Sequence, residues 1–398
     1  MTHLVDESRT RRARTAASLG LLEAERNERV DRITALAARV FGVEMTTVTV
    51  LDGDRATFPL SHGLDPGTTM PRSEVFCDLT QRQGEPMYVE DASLDPRFAS
   101  WPIVTDAGIR FYAGHPLRDH MGTVVATLCL LDSTPRRLGA DEKELLAELA
   151  GLTETEMVSS TEMRLAQEAQ ASLLPQAGLE VDGWRIEGAC VPAAAVGGDF
   201  YDYRVTGRSA VLRLADVMGK GTPAALIAAG VRAALRGTEA AAAAGVDLGV
   251  TVTRTARTLA DDMERTESFV TLFEAVIDLD DGDVRYVDAG CGLALVARND
   301  GSVEPLRSSD GPIGLWAEDH WTEHRTRLEP GERLVVVSDG VLDLVGEGPG
   351  HADRIAELVL GRDAVSRLDE IVRRSDTTSA VDDVTVVVAT RPAPGGAG

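Results

Sequence analysis

Residues 197–226 read GGDFYDYRVTGRSAVLRLADVMGKGTPAAL, and no other stretch restricts the possible folds of this chain as much. Ser209 to Ala215 is apolar apart from Arg213, the pattern of a mostly buried strand. Thr222, Pro223 and the alanines after them form a helix start, with Thr222 as the cap and Pro223 as the first helical residue, where a missing N–H does no harm. The order is therefore a loop with Asp199, a strand ending in Asp216, a glycine loop and a helix. Both carboxylates fall near one edge of a sheet, where short acids at strand ends can converge on a cation.

The rest of the composition agrees with a cation. The 398 residues carry 64 acids against 40 bases, a formal net charge of −24. That field opposes nucleic acid and anionic membrane and favours metal ions or basic partner surfaces. The length predicts roughly two to three domains. The most apolar helical stretch, Ala224 to Leu235, is too short to span a bilayer and contains Arg232, and the N-terminus lacks an apolar signal core. A cytoplasmic protein is expected. Cys77, Cys129, Cys190 and Cys291 lie far apart with no CxxC pair, which argues against a zinc knuckle or a disulfide framework. His320 and His324 are four residues apart, but Trp321 lies between them and no acid or cysteine completes a site, so surface or packing roles are expected. Any metal should be oxygen-bound.

In chain order, residues 1–20 include the basic run RTRRAR without apolar periodicity and read as a disordered tail. Val30, Ile33, Leu36, Ala37 and Val40 then recur at helical spacing up to Phe41 and Gly42. Thr46 to Leu51 and Ala56 to Leu60 form a hairpin about Asp52-Gly53-Asp54, and Pro86 to Val89, Arg110 to Leu117 and Thr123 to Leu131 supply further strands. The segments VFCDLT from Val75, YVEDASLDPRF from Tyr88, IRFYAGHPL from Ile109 and GTVVATLCLLD from Gly122 resemble a GAF domain over about residues 25–157. The resemblance implies a sensor or dimerisation module, with its domain bounded here at 21–140. Its ligand is not identified. Cys77 invites a chromophore reading, but a buried structural thiol is expected.

Residues 141–175 read as a helical linker ended by Pro175. Leu145, Leu149, Leu152, Glu156, Ser159, Met163, Ala166, Gln170 and Leu173 alternate in steps of four and three, a coiled-coil seam. Its polar centre at Glu156 and Ser159 predicts a two-helix contact that can shift register, and a plain connecting helix is the alternative. From 176 to 390 the chain is β-rich, with helices expected at Pro223 to Gly237, Gly249 to Glu264, Ala352 to Leu360 and Ala364 to Arg373. Glu239 to Ala244 reads as a loop or frayed helix end, and 391–398 as a disordered tail. The fold class is α+β, with antiparallel sheets and helices layered outside them.

Two more acidic positions match the first pair. Asp339 follows the apolar strand LVVVS and precedes Gly340, and Asp382-Asp383 immediately precede VTVVVA. A pair of Mg²⁺ or Mn²⁺ ions needs several hard oxygen ligands, and four aspartates at four strand ends can provide them. Each Asp taken singly could instead end a strand or brace a turn.

These residues resemble the metal-dependent serine/threonine phosphatases of the 2C (PPM) type, in the bacterial branch typified by SpoIIE and RsbU. The matching segments are QASLLP at Gln170, VGGDFYDY, ADVMGKGTPAAL, FVTLFEAVIDLDDGDVRYVDAG, GPIGL, PGERLVVVSDGVLD and VDDVTVVV. The resemblance implies an α/β sandwich of two antiparallel sheets flanked by helices. It makes Asp216 the carboxylate shared by two Mn²⁺ or Mg²⁺ ions, with Asp199, Asp339, Asp382 and the Val217 carbonyl as further ligands and Asp383 as an alternate. Asp202 is expected in a structural hydrogen bond, and Lys220 either meets phosphate or makes the turn. Where the family usually has asparagine-alanine-glycine-histidine, this chain has Asp288-Ala289-Gly290-Cys291, and Ala215 replaces a glycine. The first departure bears on substrate recognition. The implied reaction is hydrolysis of phosphoserine or phosphothreonine on a protein, an anti-sigma factor antagonist, under control of the GAF domain in a homodimer. No CxxxxxR loop offers a covalent route. A catalytically silent, partner-binding regulator is the alternative.

Overall fold

The computed structural model describes residues 28–315, 320–359 and 381–393. The chain divides into two compact units, residues 1–164 and 165–398, and the boundary falls inside one long helix. The expected tail at 1–20 and the expected helix from Ala364 to Arg373 lie outside the described residues.

The N-terminal unit opens with α1 (Glu28–Phe41), which buries Val30, Ala37 and Phe41 as its spacing requires. β1 (Met45–Asp52) and β2 (Arg55–His62) pair antiparallel through a tight turn that needs the positive φ of Gly53, +55°. β3 (Thr68–Pro71), α2 (Phe76–Gln83), β4 (Met87–Val89), α3 (Pro102–Thr105), β5 (Phe111–Arg118) and β6 (Val124–Asp132) complete the unit, with sheet order β3-β2-β1-β6-β5-β4. Every residue of β6 is buried, because both faces of the sheet are covered. Leu128 and Leu130 pack with Val30 and Leu146 on one face, and Cys129 and Leu131 pack with Phe76 and Phe98 on the other. A strand enclosed in this way loses its polar alternation. Cys77 is buried, with its sulfur 3.0 Å from that of Cys129.

The long helix, α4 (Ala140–Leu173), turns a stripe other than the heptad positions toward the N-terminal core. Its buried stripe is Leu146, Leu149, Ala150, Thr153, Met157 and Thr161, and of the heptad positions only Leu149 is buried. Leu152 is 58% exposed. The inward stripe has a simple cause. Thr153 and Thr161 can turn inward because their hydroxyls donate back to the carbonyls of Leu149 at 2.7 Å and Met157 at 2.8 Å. Met157→Ala should therefore destabilise the N-terminal unit by about 2–4 kcal/mol in chemical denaturation, whereas Ser159→Ala should stay within about 0.5 kcal/mol. Equal effects would contradict this stripe.

The C-terminal unit contains β7 (Leu179–Val181), β8 (Trp184–Val191), β9 (Phe200–Thr206), β10 (Ser209–Val217), α5 (Thr222–Ala243), α6 (Leu248–Thr266), β11 (Val270–Asp278), β12 (Asp283–Ala289), β13 (Ala294–Ala297), β14 (Val303–Leu306), β15 (His324–Arg327), β16 (Arg333–Val337), α7 (Val341–Val345), α8 (His351–Val359) and β17 (Val384–Thr390). They form two antiparallel sheets, β15-β12-β11-β10-β9 and β14-β13-β16-β17-β8-β7. Leu212, Leu214, Phe273 and Ile277 of the first sheet share a core with Ile186, Leu334, Val336 and Val387 of the second. On the outer faces, Val211 and Val276 pack with Val231 and Leu235 of α5, while Val335 and Val386 pack with Ile355 and Leu358 of α8. The architecture is α+β, a sandwich of two sheets flanked by helices. Among the described residues no helix is long and apolar enough to cross a membrane.

Three local expectations are corrected. Gly221, with φ +72°, is the cap of α5, so that Thr222 is its first residue and Pro223 its second. The alanine-rich run at 239–243 is helical, as alanine's propensity favours, and Glu239 anchors it by accepting from Arg213 at 3.2 Å and Thr206 at 3.1 Å. Arg391, expected in a disordered tail, donates its main-chain N–H to the Glu332 carbonyl at 3.0 Å and lies over the Trp184 ring.

Candidate metal centre

The four acids come from four strand ends, two in each sheet. Asp199 immediately precedes β9 and Asp216 is the penultimate residue of β10, while Asp339 lies just beyond β16 and Asp382 just before β17. β9 pairs with β10 and β16 with β17, which brings the acids to one end of the sandwich.

Close main-chain approach shapes the site. A Cβ on Gly198 would run into the Val217 carbonyl, one on Gly197 into the Asp383 carboxylate, and one on Gly340 into the carbonyls of Asp382 and Asp383. Glycine is required at these three places for lack of room. Asp383, 3% exposed, accepts from the N–H groups of Ala193 at 2.7 Å, Gly198 at 2.7 Å and Asp199 at 3.3 Å. With both oxygens engaged by main-chain donors, Asp383 braces the loop that carries Asp199. Of the acidic pair, Asp382 is the more exposed, and its Oδ1 accepts from the Asp383 N–H at 2.9 Å. Lys220 lies 3.3 Å from Asp382 and also touches the Val381 carbonyl.

The carboxylates repel one another. Burial raises Asp216 to about 6, with the charges of Asp339, Asp382 and Asp383 adding to it. Burial and then the charge of Asp216 push Asp199 well above the ordinary carboxylate range, and burial and Asp382 raise Asp339. Asp199 Oδ2 is buried with no hydrogen-bond partner. Among the described residues no three acidic, histidine or cysteine side chains close tightly enough to hold an ion alone. Mg²⁺ and Mn²⁺ do not need such a cage, because water and main-chain carbonyls fill much of their shell. An all-oxygen donor set, an orphaned buried carboxylate oxygen at Asp199 and clustered like charges fit divalent cations.

Asp202, expected in a structural bond, is fully buried and accepts from Arg236 at 2.7 and 2.9 Å, with Arg232 at 3.7 Å. In the departing segment, Asp288 accepts from the N–H groups of Cys291 at 2.8 Å and Gly292 at 3.0 Å. Burial and the Asp288 charge push the Cys291 thiol up, and Asp199 and Asp216 contribute, so this loop borders the acids. His324 stacks on Tyr286 at 5.4 Å, a packing role.

Sequence reasoning passed over two features. Arg213, the lone charge in an apolar strand, donates to Glu274 at 2.7 Å directly across the β10–β11 ladder and to Glu239 at 3.2 Å. An isolated arginine within such a strand was the available signal. Gln170, near the end of α4, bonds to both polar groups of the Gly197 main chain at 2.7 and 3.0 Å.

Comparison with known proteins adds to this geometry. Residues 206–392 match the family Stage II sporulation protein E (SpoIIE), and residues 25–157 match the GAF domain. The chain is 24% identical over 184 residues to the phosphoserine phosphatase RsbU of Bacillus subtilis, covering 46% of this chain and 54% of that protein. It is 40% identical over 119 residues to a cyclic di-GMP phosphodiesterase of Pseudomonas aeruginosa, covering 30% of this chain and 20% of that protein. The solved PP2C phosphatase domain of SpoIIE from Bacillus subtilis aligns at a TM-score of 0.44 with 23% identity, over 52% of this chain and 64% of that one. The chain thus spans about half or less of the length of these curated relatives.

Proposed function

For a chain whose residues 25–157 form a GAF domain and whose residues 206–392 form a SpoIIE-family domain, we propose the activity of a metal-dependent protein serine/threonine phosphatase. The observation that carries this reading is the gathering of Asp199, Asp216, Asp339 and Asp382 at one end of the sandwich, where burial and neighbouring carboxylate charge hold Asp199, Asp216 and Asp339 above the ordinary carboxylate range. Asp216, flanked by the other acids, is assigned as the carboxylate shared between two Mn²⁺ or Mg²⁺ ions. Asp199, Asp339, Asp382 and the Val217 carbonyl complete the set. When bound, the ions would supply an activated water and neutralise phosphoryl charge. The chain's own part is to fix these oxygens: Asp383 and the three glycines set the loop geometry, and Lys220 steadies Asp382 at the rim.

The substrate is assigned as a phosphorylated regulatory protein, an anti-sigma factor antagonist, by analogy with the phosphoserine phosphatase RsbU. The enzyme is assigned to the cytoplasm. The GAF unit is assigned as the sensor and α4 as its connection to the phosphatase. Leu152, Met163 and Leu173 of the heptad seam remain exposed on α4, which supports a homodimer through that helix.

The test is phosphate release from a phosphoserine protein by chelator-stripped full-length enzyme. Mn²⁺ or Mg²⁺ should restore turnover without zinc, since every assigned ligand is an oxygen. Tightly retained zinc on which activity depends would overturn the assignment.

A further inference from the structure

The loop carrying Asp199 is held from two sides. From one, Asp383 takes the N–H groups of Ala193, Gly198 and Asp199. From the other, Gln170 turns both ends of its side-chain amide onto a single residue. Its Nε2 donates to the Gly197 carbonyl at 2.7 Å, and its Oε1 accepts from the Gly197 N–H at 3.0 Å. An amide matched to the N–H and C=O of one residue fixes the rotation of that backbone as well as its position, as a neighbouring strand would. Two successive glycines make this the part of the loop most in need of such a hold. The contact borders a cavity of about 190 Å³ walled by Leu173, Leu174, Val196 and Phe200. Apolar walls strengthen hydrogen bonds that water would otherwise compete for.

We propose that Gln170 is a positioning residue of the cation site: its amide sets the path of Gly197 to Asp199 and thereby the affinity of the site for divalent metal. The inference rests on the metal-centre reading above and deepens it. Asp199 cannot adjust independently, because Gly198 is pressed against the Val217 carbonyl and Asp383 fixes its N–H. Displacing Gly197 therefore displaces a ligand. Gln170 also belongs to the helix whose earlier residues Leu146, Leu149 and Met157 form part of the N-terminal core, so the helix assigned to signalling itself supplies the hold on the metal loop.

The experiment is calorimetric titration of Mn²⁺ into full-length wild type, Gln170→Ala and Gln170→Met. Methionine keeps the length and apolar packing of the arm but neither hydrogen bond. Both variants should bind Mn²⁺ at least about tenfold more weakly, the usual scale for losing a group that orients a ligand. The KM for a phosphoserine protein at saturating Mn²⁺ should stay at the wild-type value, and the metal-free melting temperature of Gln170→Met should fall only by the small amount that two lost hydrogen bonds cost. A merely structural role would lower the metal-free melting temperature and leave cation affinity alone. Unchanged Mn²⁺ affinity in both variants, beside a wild type that binds, would overturn this inference alone. A wild type that binds no Mn²⁺ would overturn the metal-centre reading beneath it.

Discussion

Asp216→Asn is expected to abolish phosphate release, with a fall of at least about 100-fold, because it removes charge from the oxygen ligand assigned to both ions without changing volume. The same substitution should leave the metal-free protein as stable as the wild type or more so. Asp216 is raised to about 6 in the folded chain from an ordinary value near 3.8. Between these two values the folded state holds more proton than the unfolded one, so the metal-free wild type should lose stability as pH rises through that window. The amide that replaces the carboxyl cannot titrate, and the variant should lack this part of the pH dependence. Thermal melts in chelator from pH 4 to pH 7, run beside the activity assay, separate the two effects. Near-normal turnover, or an inactive variant that is also unfolded in chelator, would contradict the account.

Arg213→Met should give the largest loss of stability in the C-terminal unit, about 3–5 kcal/mol by urea denaturation. The guanidinium lies between Glu274 and Glu239, and the Glu274 side chain is 0% exposed. Glu239 would keep Thr206 as a partner, but Glu274 would be left as a buried carboxylate without a counterion, one oxygen of which is already unpartnered. Adding Glu274→Leu should recover much of the loss, because a well-packed apolar pair avoids the desolvation of both charges. A loss under about 1 kcal/mol for Arg213→Met would mean that the network is hydrated and contributes little.

The placement of the four acids at strand ends was legible because its signal is local: a short carboxylate between an apolar strand and a glycine or second acid. The sandwich was legible for a related reason, since strands such as β10 send Val211 to one core and Leu212 to another and so lack alternation. Features that depend on separate segments meeting were not legible. The bracing role of Asp383 requires the 193–199 loop to fold back over β17, and the partnership of Arg213 with Glu274 requires the β10–β11 register. Gln170 opens the QASLLP segment, but nothing in its neighbours indicates that it faces Gly197. The inward stripe of α4 was not legible, because hydrophobic periodicity counts Leu152 and ignores Thr153, whose buried hydroxyl is satisfied within the helix. The reading of 239–244 as a loop gave low complexity more weight than alanine's helix propensity.

The most direct test of the central claim is the stoichiometry of Mn²⁺ bound by the chelator-stripped full-length protein, measured by calorimetry and checked by elemental analysis. The account predicts about two ions per chain in the wild type, the number a shared carboxylate implies, and loss of tight binding in Asp216→Asn. An absence of Mn²⁺ binding in the wild type, or binding that Asp216→Asn leaves unaltered, would contradict it.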